Sequence, residues 1–145
     1  MRTVLQRVSE ARVKINGEIV GAIDTGLLVL FCAEPDDDKE KASYFARKIA
    51  LMRVFEDDAG KMNLSVSDIG GAVLAVSQFT LVAEWRNGNR PGFSRAADPK
   101  TGEAMYNFFC AELRSHGLVV ETGRFGAAME VSLVNAGPVT IIMDD

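Results

Sequence analysis

Three side chains able to form hydrogen bonds, Ser77, Gln78 and Thr80, stand together at the end of the otherwise apolar run Ala72-Val73-Leu74-Ala75-Val76. Polar groups at the end of a buried strand need partners or a task, because burying a hydroxyl or an amide without a hydrogen bond is costly. If the chain stays extended from Ala72 to Thr80, Gln78 and Thr80 face one way and Ser77 and Phe79 the other. One short strand then offers a hydroxyl, an amide and backbone N–H groups around a single pocket. The same residues suit an ordinary edge strand. A second unusual stretch is Asn135-Ala136-Gly137-Pro138-Val139-Thr140. Glycine opens backbone conformations closed to other residues, and an X–Pro bond adopts the cis form at a cost of only about 0.5–1 kcal/mol. A plain turn explains this stretch equally well.

Most other catalytic signatures are absent from the sequence. The one histidine, His116, sits beside Gly117 at the end of a helical pattern, where an imidazolium complements the helix dipole. A lone histidine makes no His-rich zinc site, and Cys32 and Cys110 are far apart in apolar patterns that read as core. Asp36-Asp37-Asp38 reads as the N-cap and first-turn acids of a helix rather than as a metal site. No P-loop or Gly-x-Gly-x-x-Gly turn follows a strand. The expectation is therefore an activity with no metal and no cofactor.

The elements that must position these residues follow from periodicity. Ala11, Val13 and Ile15 alternate with Arg12 and Lys14, and Asn16-Gly17 then predicts a type I′ hairpin turn into Glu18–Ile23. Leu27 to Ala33 is a short continuous apolar run bounded by Gly26 and Pro35, which predicts a strand buried on both faces at the centre of a sheet. Ala42, Phe45, Ile49 and Met52 share one face of a helix from about Lys39 to Met52. A second helix starts at Pro99, carries Ala104, Met105, Phe108, Phe109 and Leu113 as an apolar stripe, and stops near Gly117. Strands are predicted for Ala72–Thr80, for Val119–Phe125 with Gly123 as a bulge, and for Met129–Leu133. A turn at Asn135–Pro138 then leads into Val139–Met143. The 145 residues read as one α+β domain, a sheet or barrel-like core with two to three helices packed on it.

Composition limits the partners. A net charge of −4 gives no general electrostatic case for nucleic-acid binding, which draws mainly on Lys and Arg. The stretch from Arg86 to Lys100 departs from the average, with Arg86, Arg90, Arg95 and Lys100 against Asp98. It reads either as a face for phosphates or as a solvated loop. Met1 to Arg7 lacks the apolar stretch of a signal peptide, and no segment approaches the roughly 20 apolar residues of a membrane span, which predicts a cytoplasmic protein.

Taken together, Ser77-Gln78-Phe79-Thr80 and Asn135-Ala136-Gly137-Pro138-Val139-Thr140 resemble the signature pair of the D-aminoacyl-tRNA deacylases. Gln6-Arg7-Val8, Gly60-Lys61-Met62-Asn63-Leu64, Arg90-Pro91 with Phe93, and Thr122-Gly123-Arg124-Phe125 fall in family order and spacing, so the resemblance covers the chain. It implies hydrolysis of the ester joining a D-amino acid to the 3′ end of a tRNA, and of glycine mischarged on tRNA-Ala, as quality control in translation. It also implies a homodimer with a composite active site at the subunit interface. There the Gly137-Pro138 bond is cis and enters the partner's pocket, its backbone rejecting L-aminoacyl groups. Arg7 is then expected to hold the Gly-Pro element, and Ser77, Gln78, Phe79 and Thr80 to line the site for the ribose and aminoacyl group. Phe125 and Met129 are expected in the pocket of the terminal adenosine. Ser77 disfavours the related family that carries Pro-Gln at this point, and Ala136 departs from the Asn-Asp often found before the glycine.

An aminoacyl ester beside a ribose 2′-hydroxyl is already activated, so positioning and backbone donors can suffice. No histidine or lysine near Thr80 in sequence is placed to take its proton, so Thr80 reads as a positioning residue rather than a nucleophile. Two rivals remain at this level. One is an acyl hydrolase or transferase using Thr80 as nucleophile, and the other is a noncatalytic dimeric RNA-binding or replication-associated module.

Overall fold

The computed structural model describes residues 1–145. Strand β1 (Arg2–Ile15) organises the sheet, because its length lets it serve three partners. Its first half, Arg2 to Val8, pairs antiparallel with β3 (Gly26–Cys32), and its second half, Ala11 to Ile15, pairs with β2 (Glu18–Ile23). The long strand β8 (Glu130–Asp144) pairs with β1 from Arg2 to Lys14, so it takes the opposite edge. Asn16 and Gly17, both at positive φ, turn β1 into β2 as a primed hairpin requires.

Strand β3 pairs in parallel with β6 (Ala72–Ser77), and β6 in parallel with β7 (Val119–Thr122). Parallel neighbours need crossovers, supplied by helices α1 (Lys39–Leu51) and α2 (Pro99–Ser115). A small ribbon of β4 (Phe55–Glu56) and β5 (Met62–Leu64) lies within the first crossover. The architecture is α+β, as the apolar patterning predicted.

The apolar run of β3 is buried because it faces two cores. Leu27, Val29 and Phe31 join Phe45, Ile49, Phe109 and Leu113 between the sheet and the helices. Leu28 instead joins Val8, Val13, Leu74 and Val76 on the other face. Burying each such side chain contributes about 1.5–3 kcal/mol, and Phe31 also stacks on Phe109 with ring centroids 4.6 Å apart. The second core is enclosed because the sheet curls until β2 approaches β7. A Cβ at Gly21 would lie 2.6 Å from the Thr122 carbonyl oxygen, so glycine is what permits this near-closure into a barrel. The Tyr106 hydroxyl donates to the Ala75 carbonyl at 2.8 Å and fixes α2 over β6.

Several boundaries differ from the sequence expectation. Asp38 caps α1 by accepting from the Lys41 N–H at 2.8 Å, but Asp37 turns away and accepts from the Met1 ammonium at 2.7 Å. Partial burial works to raise the Asp37 carboxyl, and the hydrogen bonds from the Met1 ammonium, the Glu34 N–H and Lys41 together outweigh it and hold the group below its ordinary range. Strand β6 stops at Ser77 instead of running to Thr80, and β7 stops at Thr122 instead of Phe125. Asn135–Pro138 is no turn between two strands. It lies inside β8, and pairing with β1 resumes on both sides of it.

Candidate active site

The first part of the site is built where β6 ends. The Gln78 N–H donates to the Phe31 carbonyl at 2.7 Å, extending the sheet by one bond. The backbone then leaves the extended region at Gln78, with φ −145 and ψ 78, and enters a 3₁₀ turn over Phe79–Val82. Within the turn the Gln78 side-chain amide donates to the Thr80 hydroxyl oxygen. The turn is pinned from the neighbouring strands. The Arg2 guanidinium donates to the Leu81 carbonyl at 3.1 Å, and the Cys32 thiol donates to the Phe79 carbonyl at 3.6 Å.

This turn forms one wall of a cleft of about 650 Å³, within the roughly 300–1,000 Å³ usual for small-ligand sites. Ser77, Gln78, Phe79, Phe93, Phe125 and Met129 are among its lining residues. Phe79 is 57% exposed and meets Phe93 edge-on with centroids 5.1 Å apart, so an aromatic rim stands open to solvent. Phe125 rests on Tyr106 of α2 with centroids 6.2 Å apart. The lining also includes Asp98, which caps α2 by accepting from the Lys100 and Thr101 N–H groups at 3.0 and 3.1 Å. Hydrogen bonds from Thr101 hold its carboxyl below the ordinary aspartate range. The cleft is thus largely apolar and aromatic, with Ser77 and Gln78 supplying polar groups on one wall.

The second part lies elsewhere in the same chain. Val8 pairs with Asn135 and Gln6 with Thr140, so the four residues 136–139 of β8 oppose Arg7 alone. The resulting bulge is held by side chains on both strands. Arg7 donates from Nε to the Ala136 carbonyl at 2.9 Å and from a terminal nitrogen to the Val54 carbonyl at 2.6 Å. The Asn135 amide donates to the Arg7 carbonyl at 3.0 Å and to the Val139 carbonyl at 2.9 Å. Gly137, at φ 125, and Pro138 are exposed, and the peptide bond between them is cis.

The structure therefore brings together Ser77, Gln78, Phe79, Phe125 and Met129, and separately Arg7, Gly137 and Pro138. Neither Arg7 nor the Gly-Pro bulge lines the cleft. Thr80 is also absent from the lining, although its hydroxyl is tied to Gln78. Its possible activation is limited by the position of the one histidine. His116 is the C-cap of α2, and Pro99 at the other end of that helix lines the cleft. Seventeen residues at about 1.5 Å each place the His116 backbone roughly 25 Å from the Pro99 end of the helix.

Sequence reasoning did not assign Phe93, Asp98 or Asn135 to the site. Phe93 stood among the family segments without a role, and Asp98 carried only the signal of a residue before a helix-starting proline. Asn135 carries out the double hydrogen bond that shapes the bulge, which only the pairing of β8 with β1 reveals.

Comparison with known proteins assigns the family. A family model described as D-Tyr-tRNA(Tyr) deacylase matches residues 4–144. The D-aminoacyl-tRNA deacylase of Ruegeria pomeroyi is 58% identical over 144 residues, covering 99% of each chain. The protein of the same name from Paracoccus denitrificans is 58% identical over 99% of this chain and 97% of its own. Among solved structures, the c-Myc DNA Unwinding Element Binding Protein superposes with a TM-score of 0.93 at 39% identity, over 100% of this chain and 99% of that one. A probable eukaryotic D-amino acid tRNA deacylase superposes with a TM-score of 0.85 over 99% and 98% of the two chains, and at 18% identity this is a likeness of fold. With a family match that spans nearly every residue and relatives of equal length at 58% identity, the chain belongs to the D-aminoacyl-tRNA deacylases, a family of hydrolases.

Proposed function

We propose that the protein hydrolyses the ester of D-aminoacyl-tRNA, releasing the D-amino acid and free tRNA, and that it clears glycine mischarged on tRNA-Ala by the same route. The observation that carries this reading is the conjunction of family membership with an aromatic cleft walled by Ser77, Gln78 and Phe79. Phe125 and Met129 supply apolar surface suited to the terminal adenosine. Ser77 and Gln78 supply polar groups for the ribose and the ester, with Thr80 acting through its bond to Gln78. The 2′-hydroxyl of the ribose stands next to the ester, so placement and polar stabilisation of the developing oxyanion can each contribute several kcal/mol without a side-chain base.

The same proposal includes a homodimer in which the exposed Gly137-Pro138 bulge of one subunit completes the cleft of the other. In support, the bulge and the cleft are separate within one chain, and Arg7 and Asn135 hold the bulge firmly on an edge strand. Selectivity then resides in backbone. With the amino group and ester carbonyl fixed, a D side chain projects outward, an L side chain meets the Gly-Pro backbone, and glycine passes. The substrate implies a cytoplasmic site of action. For localisation the structure contributes only that no helix is long and apolar enough to cross a membrane.

The deciding experiment incubates the protein with D-tyrosyl-tRNA and L-tyrosyl-tRNA in parallel and follows amino-acid release. Rapid release from the D-ester alone is expected. Equal release from both, or from neither, overturns the reading. A nucleic-acid-binding role without hydrolysis is the second reading, favoured by the 39% identity to a protein named for DNA binding, and tight binding without cleavage would support it.

A further inference from the structure

Between the cleft and solvent stands a small arm that the site described above does not use. Glu84 and Gly92 exchange backbone hydrogen bonds, with the Glu84 N–H donating to the Gly92 carbonyl at 2.8 Å and the Gly92 N–H to the Glu84 carbonyl at 2.9 Å. This pairing closes residues 85–91 into a hairpin rooted on the cleft, because Phe93, next to Gly92, lines the cleft and packs on Phe79. Just beyond the paired Glu84 is Trp85, 67% exposed and the sole tryptophan of the chain. The Arg86 guanidinium lies over its indole, 5.0 Å from the ring centroid. Arg90, on the returning side, is exposed and belongs to no ion pair, whereas Arg95 farther on is engaged by Glu34 at 2.7 Å. The tip between them, Asn87-Gly88-Asn89, carries no acid.

One indole face is covered by Arg86, which also pairs with Glu84 at 3.7 Å. An exposed indole beside the unpaired Arg90, on a chain whose net charge is −4, is a particular combination. Unpaired nucleotides are recognised by stacking bases on aromatic faces while cations follow the phosphates. A duplex hides the faces of its bases, so the platform suits a single strand. Trp85 is one residue outward from the Glu84–Gly92 pair and Phe93 one residue inward, which separates them by roughly 7 Å at about 3.4 Å per residue. A strand whose last residue occupies the cleft would therefore pass over the arm.

We propose that Trp85, with Arg86 and Arg90, is a stacking platform for the unpaired nucleotides that precede the terminal adenosine of the tRNA 3′ end. The indole takes a base face and the arginines take the adjoining phosphates. The platform adds affinity for RNA and leaves the chemistry to the cleft. This inference rests on the deacylase reading for the identity of the strand, and the stacking itself is measurable without it.

The sole tryptophan makes the test direct. Titration of the intact protein with uncharged tRNA, and with a short single-stranded RNA ending in CCA, is expected to quench Trp85 fluorescence, and a blunt RNA hairpin lacking the overhang is expected to leave it unchanged. Trp85→Ala is expected to raise KM for D-tyrosyl-tRNA by roughly tenfold with little change in kcat. Trp85→Tyr, which keeps an aromatic face, is expected to restore most of the loss. D-tyrosyl-adenosine lacks the preceding nucleotides, so the KM rise should not extend to it. Absence of quenching by any single strand, equal quenching by the blunt hairpin, or an equal KM rise on both substrates overturns the platform. So does a Trp85→Ala variant that changes the oligomeric state and not the RNA affinity, since the arm would then be a contact between subunits. If the unsubstituted protein cleaves neither ester, the deacylase reading falls and the quenching titration still decides the stacking.

Discussion

The guanidinium of Arg7 occupies the space that a side chain at Gly137 would need. Gly137 holds a φ of 125, and a Cβ built there collides with a terminal nitrogen of Arg7. That guanidinium is held by the Ala136 and Val54 carbonyls through its other two nitrogens, so yielding to a side chain would disturb those bonds. Gly137→Ala therefore combines an unfavourable backbone conformation, worth about 1–3 kcal/mol, with loss of the Arg7 hydrogen bonds. Denaturant unfolding should show that destabilisation, and D-tyrosyl-tRNA release should fall by at least about tenfold under conditions where the variant is folded. A variant with unchanged stability and activity would show that the bulge adapts.

Thr80→Ala should retain much of the activity. The Thr80 hydroxyl accepts from Gln78, and the one histidine lies at the far end of α2. Losing one supporting hydrogen bond costs about tenfold, whereas losing a nucleophile costs on the order of 10⁶ in turnover. Single-turnover rates of the folded variant separate the two, and a fall beyond about 10³ would make Thr80 the nucleophile.

Static light scattering at micromolar concentration should give the mass of a dimer, because the proposed site needs the bulge of one subunit and the cleft of another. A monomer that deacylates D-tyrosyl-tRNA at full rate would dispose of the composite site.

Neither cysteine should react with a thiol reagent in the native protein. Burial pushes both the Cys32 and the Cys110 thiol up to about 11, so the thiolate fraction at neutral pH is very small. Labelling with a chromogenic disulfide at pH 7.5 should be negligible over minutes and should reach two thiols per chain after denaturation. Fast native labelling of Cys32 would mean that the 3₁₀ turn above it opens readily.

Asp98 should make the α2 terminus, and with it one border of the cleft, sensitive to acid. Hydrogen bonds from Thr101 lower its folded pKa below its ordinary value of 3.8. A group lowered on folding stabilises the native state fully above its unfolded pKa, and that contribution disappears as pH falls through the folded value. Thermal melts should therefore show no contribution from Asp98 to pH dependence between pH 6 and 8 and a loss below about pH 4. Asp98→Asn, which still caps a helix, should flatten that acid limb. An unchanged limb would place the acid sensitivity in other carboxylates.

Local chemistry alone determined a good part of this protein. Asn16-Gly17 specifies its own turn, Asp38 and Pro99 mark helix starts, Gly117 at φ 79 ends α2, and the run from Leu27 marks a strand with two buried faces. These features depend on residues a few positions apart, and so do the two segments that carry the family signature. The tertiary structure decided whatever depends on a distant partner. Gly137-Pro138 reads locally as a turn, yet β8 continues through it because Arg7 and Asn135 bond the bulge across 128 residues of separation or more. Ser77 to Thr80 reads locally as strand, yet the ladder ends when the Phe31 carbonyl takes the Gln78 N–H and the following residues coil into a turn tied to Arg2 and Cys32. Phe93 and Asp98 enter the cleft through contacts remote in sequence, Phe93 by packing on Phe79 and Asp98 next to an Ala97 N–H that donates to the Ala33 carbonyl. Periodicity records which face of an element is apolar, whereas register and cleft membership are set by hydrogen bonds and contacts between residues remote in sequence.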